Sequence, residues 1–513
     1  MALTFFTGHI IPLRGPGDKP LDVSELKPEL LEEWGSYWRD VVRPALEEAL
    51  AIRPKASEEE KVRALADTIV VCLTCPLVLD PLRPRPDHAP GVLAAPSRLY
   101  YLWLLTRSSD VEIGLWKDEN GRAMSLELMA NMGFKQLPSA FLSTRPAFAR
   151  LFKESTHNRL FKLFTSLPAD TRPGFNTSRL IVHLLLTSAL AYLIAISRGV
   201  GGLDLEILRL AALLHDVGKP KAWQEMYEIG SYVDHARKSV ELAEALLNGL
   251  VSRKVRQILL DVIRYHHKPE EAPEHARALA FLLAEADRVA SAEDRLLKAI
   301  AEPVSVALGM SIDELRARLS ETGKAAWAFW LKLHRERPAD VKEATKKAAV
   351  ALREWGRRAP VEGAKEVLKG QVCLGLADIR GIQRFVMASE KLAGLAVGSY
   401  IVEAACAYAI PRALTGGLEY ALLTLAPECI IYAGGGNVFF LAPTRVNEEE
   451  VEDFLNRALE ALIGQDLVAR NEPEGLRVSV CLRPLKDPFA RTLAEVNIAM
   501  SSRKVRPGPG YLA

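Results

Sequence analysis

Six of the ten histidines fall between His183 and His275, and one of them is joined to a carboxylate, His215-Asp216 in LLHDVGK. Candidate partners are strung around this doublet. His183 precedes it in SRLIVHLLLTSALA; His235 in DHARKSVELAEALL, His266-His267 in VIRYHHKPEE and Asp287 in AEADRVAS follow. Imidazole and carboxylate are the ligands that divalent transition metals favour, and a carboxylate next to a histidine can bridge two ions. A lone histidine on an apolar helix is more often a core residue bonded to backbone carbonyls. The order H…HD…H…HH…D separates this set from that bland reading. Such a set suits hydrolysis of a phosphodiester, an anion with a poor leaving group. The reaction needs an activated water, charge neutralisation at the non-bridging oxygens and help for the leaving oxygen. Two cations about 3.5–4 Å apart supply most of that. A mixed His/Asp shell suits Mn, Fe, Co, Ni or Zn better than Mg.

The elements that must position these groups read as helices. LDLEILRLAALLHDVGK has the pattern of a buried helix delivering His215 and Asp216 at its C-terminal end, with Gly218 expected as a left-handed cap. Lys219, one turn beyond His215 and three residues from Asp216, is positioned to reach a phosphate and stabilise transition-state charge. Asp234 is a natural N-cap, which puts His235 in the first turn of the next helix. Neighbours on a helix point about 100° apart, so His266 is expected as a ligand and His267 as either a second ligand or a phosphate contact. His275, in a Pro- and Glu-bounded turn, is expected at the surface.

This ordered series resembles the HD superfamily of metal-dependent phosphohydrolases. The resemblance implies that His183, His215, Asp216 and Asp287 hold one ion. Asp216 then bridges to a second ion held by His235, His266 and His267, and His215, Asp216 and Lys219 are the catalytic residues.

At 513 residues the chain is too long for one core and suggests about three domains. A hydrophobic share of 49% and a charged share of 25% are those of an ordinary globular protein. The formal net charge of +2 gives no global signal for polyanion binding, so nucleic-acid contact must come from local basic surface. Six scattered cysteines argue for a reducing compartment, and Cys72 and Cys75, though a C-x-x-C pair, lie in an apolar helical stretch and read as core. The N-terminus lacks the pattern of a secretory signal. The longest apolar run, LIVHLLLTSALAYLIAI, falls short of the 18 or so residues that span a bilayer and carries His183. A cytoplasmic protein with no membrane partner is the expectation.

Residues 1–165 read as a helical and loop region of no assigned role, with Trp34 and Trp38 four apart on one amphipathic face. Its Pro-rich stretch PLVLDPLRPRPDHAPGVLAAP holds Arg83, Arg85 and His88 in a solvated basic loop. The helical metal-site domain is expected over 166–310 and a helical linker over 311–368. In that linker KKAAVALREWGRR interleaves cations with Trp355, by default a solvated helix face. From 369 to 485 the pattern changes. QVCLGLADI is a buried strand ending at Asp378, GIQRFVMASEKLAG and GSYIVEAACAYAIPRAL are helical, and ECIIYAGGGNVFFLAP is a hairpin with Gly434 to Asn437 at its tip. The helix NEEEVEDFLNRALEALIG and the strand LRVSVCLRP complete a β-α-β-β-α-β order, that of a ferredoxin-like palm. Residues 486–513 read as a tail. The fold class expected is therefore multidomain α+β, a mainly helical HD-type phosphohydrolase domain followed by a palm.

Taken together, the HD series, ADIRGIQRFV, LAGLAVGSYIVEAA and IIYAGGGNVFFLAP resemble the large subunit of type III CRISPR effector complexes over about 166–485. In that family an HD nuclease precedes two cyclase-like palms. The first palm reads D-I-x-G-I-Q-x-F on its first strand, matched by Asp378, Gly381, Ile382, Gln383 and Phe385. A glycine-rich hairpin is matched by Gly434, Gly435, Gly436 and Asn437. The resemblance implies a metal-dependent single-stranded DNA nuclease of an RNA-guided antiviral complex. Guide and target RNA are implied as partners, reached through other subunits. An active cyclase palm carries Asp-Asp where this hairpin has Gly436-Asn437, so this palm is expected not to catalyse, while its glycine backbone leaves room for ATP phosphates beside Asp378. The family's zinc-binding segment and GGDD-bearing second palm would come after RPGPGYLA. A split subunit with that palm on a separate chain, a shortened chain, or a divergent member are the readings, and cyclase activity is not carried over. Two alternatives stand beside the nuclease: a nucleotide or cyclic-dinucleotide phosphohydrolase with a degenerate palm as sensor, and a scaffold whose metal site is structural.

Overall fold

The computed structural model describes residues 28–75, 96–109, 125, 141–152, 163–164, 167–170, 179–294, 297–321, 323–358, 365–366, 368–387, 392–418, 422–464, 475–487 and 489–505. The basic loop with Arg83, Arg85 and His88 lies outside the described residues. The first helices are α1 (Pro28–Tyr37), α2 (Arg43–Ala51), α3 (Glu58–Thr74), α4 (Pro96–Thr106) and α5 (Pro146–Leu151). A π-helical turn, Trp38–Val42, joins α1 to α2 and keeps Trp34 and Trp38 on one buried face, ring centroids 5.4 Å apart. A reciprocal capping box starts α3: Ser57 Oγ accepts from the Glu60 amide, and the Glu60 carboxylate accepts from the Ser57 amide at 2.7 Å. Cys72 and Cys75 are buried near its end, as expected of core residues.

Six helices carry the histidine series: α6 (Leu180–Ser197), α7 (Gly202–Leu214), α8 (Lys219–Ile229), α9 (His235–Leu247), α10 (Arg253–Tyr265) and α11 (Glu274–Asp294). Helix α6 is apolar all round and buried from Leu180 to Ala195. By length and composition it could cross a membrane. Its surroundings account for its sequence: α7 and α11 pack on it, and strands of the palm and the turn Pro427–Cys429 also touch it. His183 thus sits on a central rod of the molecule. A further helical group, α12 (Leu297–Leu308), α13 (Ile312–Ser320), α14 (Gly323–Glu336) and α15 (Pro338–Arg358), has its own core around Ile300, Leu315 and Trp330. Leu331 and Trp327 of α14 also pack with Trp223 and Met226 of α8, so this group leans on the histidine-bearing helices.

A short ribbon pairs β1 (Lys365–Glu366) with β6 (Lys486–Asp487). The palm sheet comprises β2 (Val372–Arg380), β3 (Ile430–Gly434), β4 (Asn437–Pro443) and β5 (Arg477–Pro484), antiparallel throughout in the order β3-β4-β2-β5. That is the order a ferredoxin-like β-α-β-β-α-β chain produces, and it places β2 in the middle, buried from Val372 to Ile379. Its helices are α16 (Ile382–Met387), α17 (Leu392–Ala404), α18 (Ile410–Leu414) and α19 (Glu448–Ile463). The stretch expected as a tail contains one more, α20 (Phe489–Val505), packed on β2 and β5 through Phe489, Val496 and Met500. Its apolar positions are sparse, which hides the helical period. One continuous core runs from the N-terminal helices through α6, α7, α9, α10 and α11 to the palm.

Candidate metal centre

Helix α7 ends at Leu214, so His215 and Asp216 lie in the turn before α8, both buried. Gly218 is not a left-handed cap: its φ is −82°, and it opens α8 as N-cap. A close approach requires the glycine instead, since a Cβ there would stand 2.2 Å from the Ser239 nitrogen of α9. The Gly218 amide donates to Ser239 Oγ at 2.9 Å, and Trp34 Nε1 of α1 donates to the Val217 carbonyl at 2.8 Å. The turn is therefore held from two sides.

Asp216 is the centre of the arrangement. Its Oδ2 lies 3.2 Å from Nε2 of both His183 and His215, and His183 Nε2 is 3.1 Å from Asp287 Oδ1. Its Oδ1 lies 3.3 Å from His235 Nε2 and 4.0 Å from His266 Nε2. Two groups of ligand atoms, each within 4.8 Å of one another, result: His183, His215, Asp216 and Asp287 form one, and His235, His266 and His267 the other. His267, expected as either a second ligand or a phosphate contact, falls in the second group because α10 stops at Tyr265. The turn that follows brings the two rings to 3.9 Å between centroids, with His267 Nε2 2.8 Å from His235 Nε2. Asp234 caps α9 as expected, accepting from the Ala236 amide at 3.0 Å. His275 is about half exposed and meets Asp261 at 3.0 Å, away from the cluster.

Two backbone carbonyls set the tautomers. His215 Nδ1 donates to Ala212 O and His266 Nδ1 to Ile263 O, each at 2.7 Å, leaving Nε2 of both rings directed at the cluster. Nε2 of His215 and His266 and Oδ1 of Asp216 are buried without a hydrogen-bond partner. Burial opposes charge on His215, yet Asp216 and Asp287 outweigh it and raise its pKa to about 10. Burial likewise works against charge on Asp216 and Asp287, but the neighbouring cations hold both carboxyls well below the usual range. Burial and the adjacent His215 push His266 down to about 4. Unpaired donor atoms around carboxylates that call for positive charge fit divalent cations in both groups.

Lys219 begins α8 with its Nζ 2.5 Å from Asp216 Oδ2, and Ser291 Oγ donates to Asp287 Oδ1 at 3.2 Å. Ser239, Ser291 and Trp34 support the site but carry no ligand signature in the sequence. The cluster opens onto a cleft of about 1000 Å³, whose walls include Trp223, Phe281 and Trp327. In the palm, Asp378 is buried and pairs in register with Asn437 on β4 and Ser479 on β5. Gly434, Gly435 and Gly436 all have positive φ, and the Ile382 side chain fills the space a Cβ on Gly436 would take, at 2.5 Å. Packing therefore accounts for Gly436, and Gly435 is the exposed glycine of the tip.

The family model for the HD domain matches residues 180–299, which contain every histidine and carboxylate of the two groups. A comparison with curated proteins finds no match. Among solved structures, Csm1 in T. onnurineus is similar at 12% identity and a TM-score of 0.28, over 63% of this chain and 49% of that one. An apo Csm1-Csm4 cassette aligns at 14% identity and a TM-score of 0.31, over 63% and 48%. A Csm1-Csm4 subcomplex in the type III-A CRISPR-Csm interference complex aligns at 15% and 0.30, over 61% and 48%. The alignments span about half the length of these proteins. The stretch that gathers the seven ligand-type side chains is an HD domain.

Proposed function

We infer that this chain is the HD-and-palm portion of a type III CRISPR effector large subunit, acting as a metal-dependent nuclease on single-stranded DNA. The observation that carries the reading is the two donor groups, with Asp216 between them, set against an open cleft lined by His183, His235, His266, His267 and Asp287. His183, His215, Asp216 and Asp287 would hold one divalent ion, and His235, His266 and His267, with Asp216 between, a second. When bound, two such ions lower the pKa of a water and neutralise phosphate oxygens. The protein's own part is positional. The Ala212 and Ile263 carbonyls keep each Nε2 directed at the cluster, and Lys219 holds its ammonium beside Asp216, within reach of an anion drawn there. The motif ADIRGIQRFV on β2 and α16, in a palm of the order described, favours the effector subunit over a signalling phosphohydrolase. ATP is assigned to the palm at the exposed Gly435 beside Asp378 and Asn437, as a ligand and not as a substrate. Guide and target RNA would act through other subunits.

Cleavage of labelled single-stranded DNA with Mn²⁺, Ni²⁺ or Co²⁺, comparing the wild type with His215→Ala/Asp216→Ala, tests the nuclease. Loss of at least about 100-fold in the double variant is expected, since a metal-site hydrolase keeps little rate without its ligands. Hydrolysis of nucleotides with no cleavage of DNA would replace this reading by the nucleotide phosphohydrolase.

A further inference from the structure

We propose that α10, α11 and α14 form a clamp for single-stranded nucleic acid beside the metal centre, with a base stacked on Phe281 and flanking phosphates on Arg264 and Arg288. The proposal rests on the hydrolase reading for the place of the cleaved phosphate. Phe281 leaves 50% of its surface exposed and belongs to none of the core clusters, although it stands in the wall of the deepened cleft. A large ring kept in water within a site is a ready surface for another ring.

Spacing along α11 gives that ring a purpose. Phe281, Ala284, Arg288 and Ser291 line the cleft at steps of three and four, one face of the helix, and small Ala284 leaves room between ring and guanidinium. The ligand Asp287 is on the same helix, about 9 Å along the axis from Phe281 at 1.5 Å per residue. A lone mononucleotide on the metal centre has no use for a ring at that distance, whereas a strand does. Trp327 of α14 adds a further aromatic to the wall, from outside the stretch matched by the HD domain.

The cations point the same way. Arg198 is committed to Glu285 at 2.8 Å and Lys268 to Glu271 at 2.8 Å. Among the described residues no carboxylate is in ion-pair range of Arg264 or Arg288, and both are exposed. Arg264 lies in the last turn of α10 two residues before His266, and Arg288 follows Asp287, so the uncommitted guanidiniums flank the metal centre. Planar guanidinium suits phosphate, and stacking tolerates any base.

The test uses the full chain with Mn²⁺ and a fluorescein-labelled phosphorothioate decathymidylate, which resists cleavage, against an abasic strand of equal length and charge. Fluorescence anisotropy should give the wild type about tenfold tighter binding to the strand with bases. Phe281→Ala should lose that preference and Phe281→Trp keep it. Arg288→Ala should weaken binding to both strands and reduce the salt dependence by about 0.7 in log–log slope. A wild type indifferent to bases, or Phe281→Ala that keeps the preference, overturns the clamp. Hydrolysis of bis(p-nitrophenyl) phosphate by the wild type, measured alongside, reports on the metal centre alone. With that hydrolysis present and base preference absent, the clamp falls and the hydrolase stands; the reverse pattern does the opposite.

Discussion

Asp216 divides its two oxygens between two sets of imidazoles, Oδ2 toward His183 and His215 and Oδ1 toward His235 and His266. That division was legible in outline, because residue type and order alone single out His183, His215, Asp216, His235, His266 and Asp287. Which of the two roles left open for His267 it takes, and why position 218 is glycine, were not. His267 joins the second group because α10 ends one residue before His266, and no helical wheel contains that information. Gly218 is a glycine for a reason lying in α9, where the Ser239 backbone leaves no space for a methyl group. Gly218→Ala is accordingly expected to destabilise the chain by about 1–3 kcal/mol through overpacking. It should also weaken Mn²⁺ binding, because Lys219 and His235 sit on the two helices it would force apart. A thermal melt and a calorimetric titration check both effects, and an unchanged melt contradicts the packing argument.

Between elements, a buried charge network is centred on Arg209 of α7, six residues before His215. Its guanidinium meets Asp67 of α3 at 2.8 Å, Glu428 beside the palm at 2.7 Å, and Glu206 at 3.4 Å. Glu428 also accepts from Ser188 of α6 at 2.6 Å, and Arg107 binds Asp67 at 2.6 Å and the Thr415 carbonyl at 2.7 Å. One cation thus ties α3, α6, α7 and the palm together. None of this was legible in sequence, where Asp67, Arg209 and Glu428 look like ordinary helix or loop charges, and only tertiary contact makes them partners. Arg209→Ala leaves three carboxylates without their common cation and is expected to cost about 3–5 kcal/mol, read from denaturant unfolding. Burial opposes charge on Asp67, but Arg107 and Arg209 outweigh it, so its folded pKa lies below the unfolded value of about 3.9. The stability it contributes is therefore present above about pH 4 and lost as pH falls through its lower folded value. Asp67→Asn should flatten the acid limb of stability against pH, and an acid limb identical to that of the wild type rules the network out as its source.

For the molecule as a whole, the β-α-β-β-α-β reading agrees with the strand order β3-β4-β2-β5. The union of N-terminal helices, HD domain and palm around α6 was invisible, since an all-apolar helix reads alike whether lipid or protein covers it. Because the candidate ligands come from α6, the α7–α8 turn, α9, the turn after α10 and α11, loading a metal there would engage most of the HD fold. The most direct measurement is Mn²⁺ titration of the full chain followed by electron paramagnetic resonance. Two Mn²⁺ per chain with an exchange-coupled spectrum, lost in Asp216→Ala, is the predicted result. A single uncoupled Mn²⁺, or a coupled pair that survives Asp216→Ala, would contradict a paired centre built on that carboxylate.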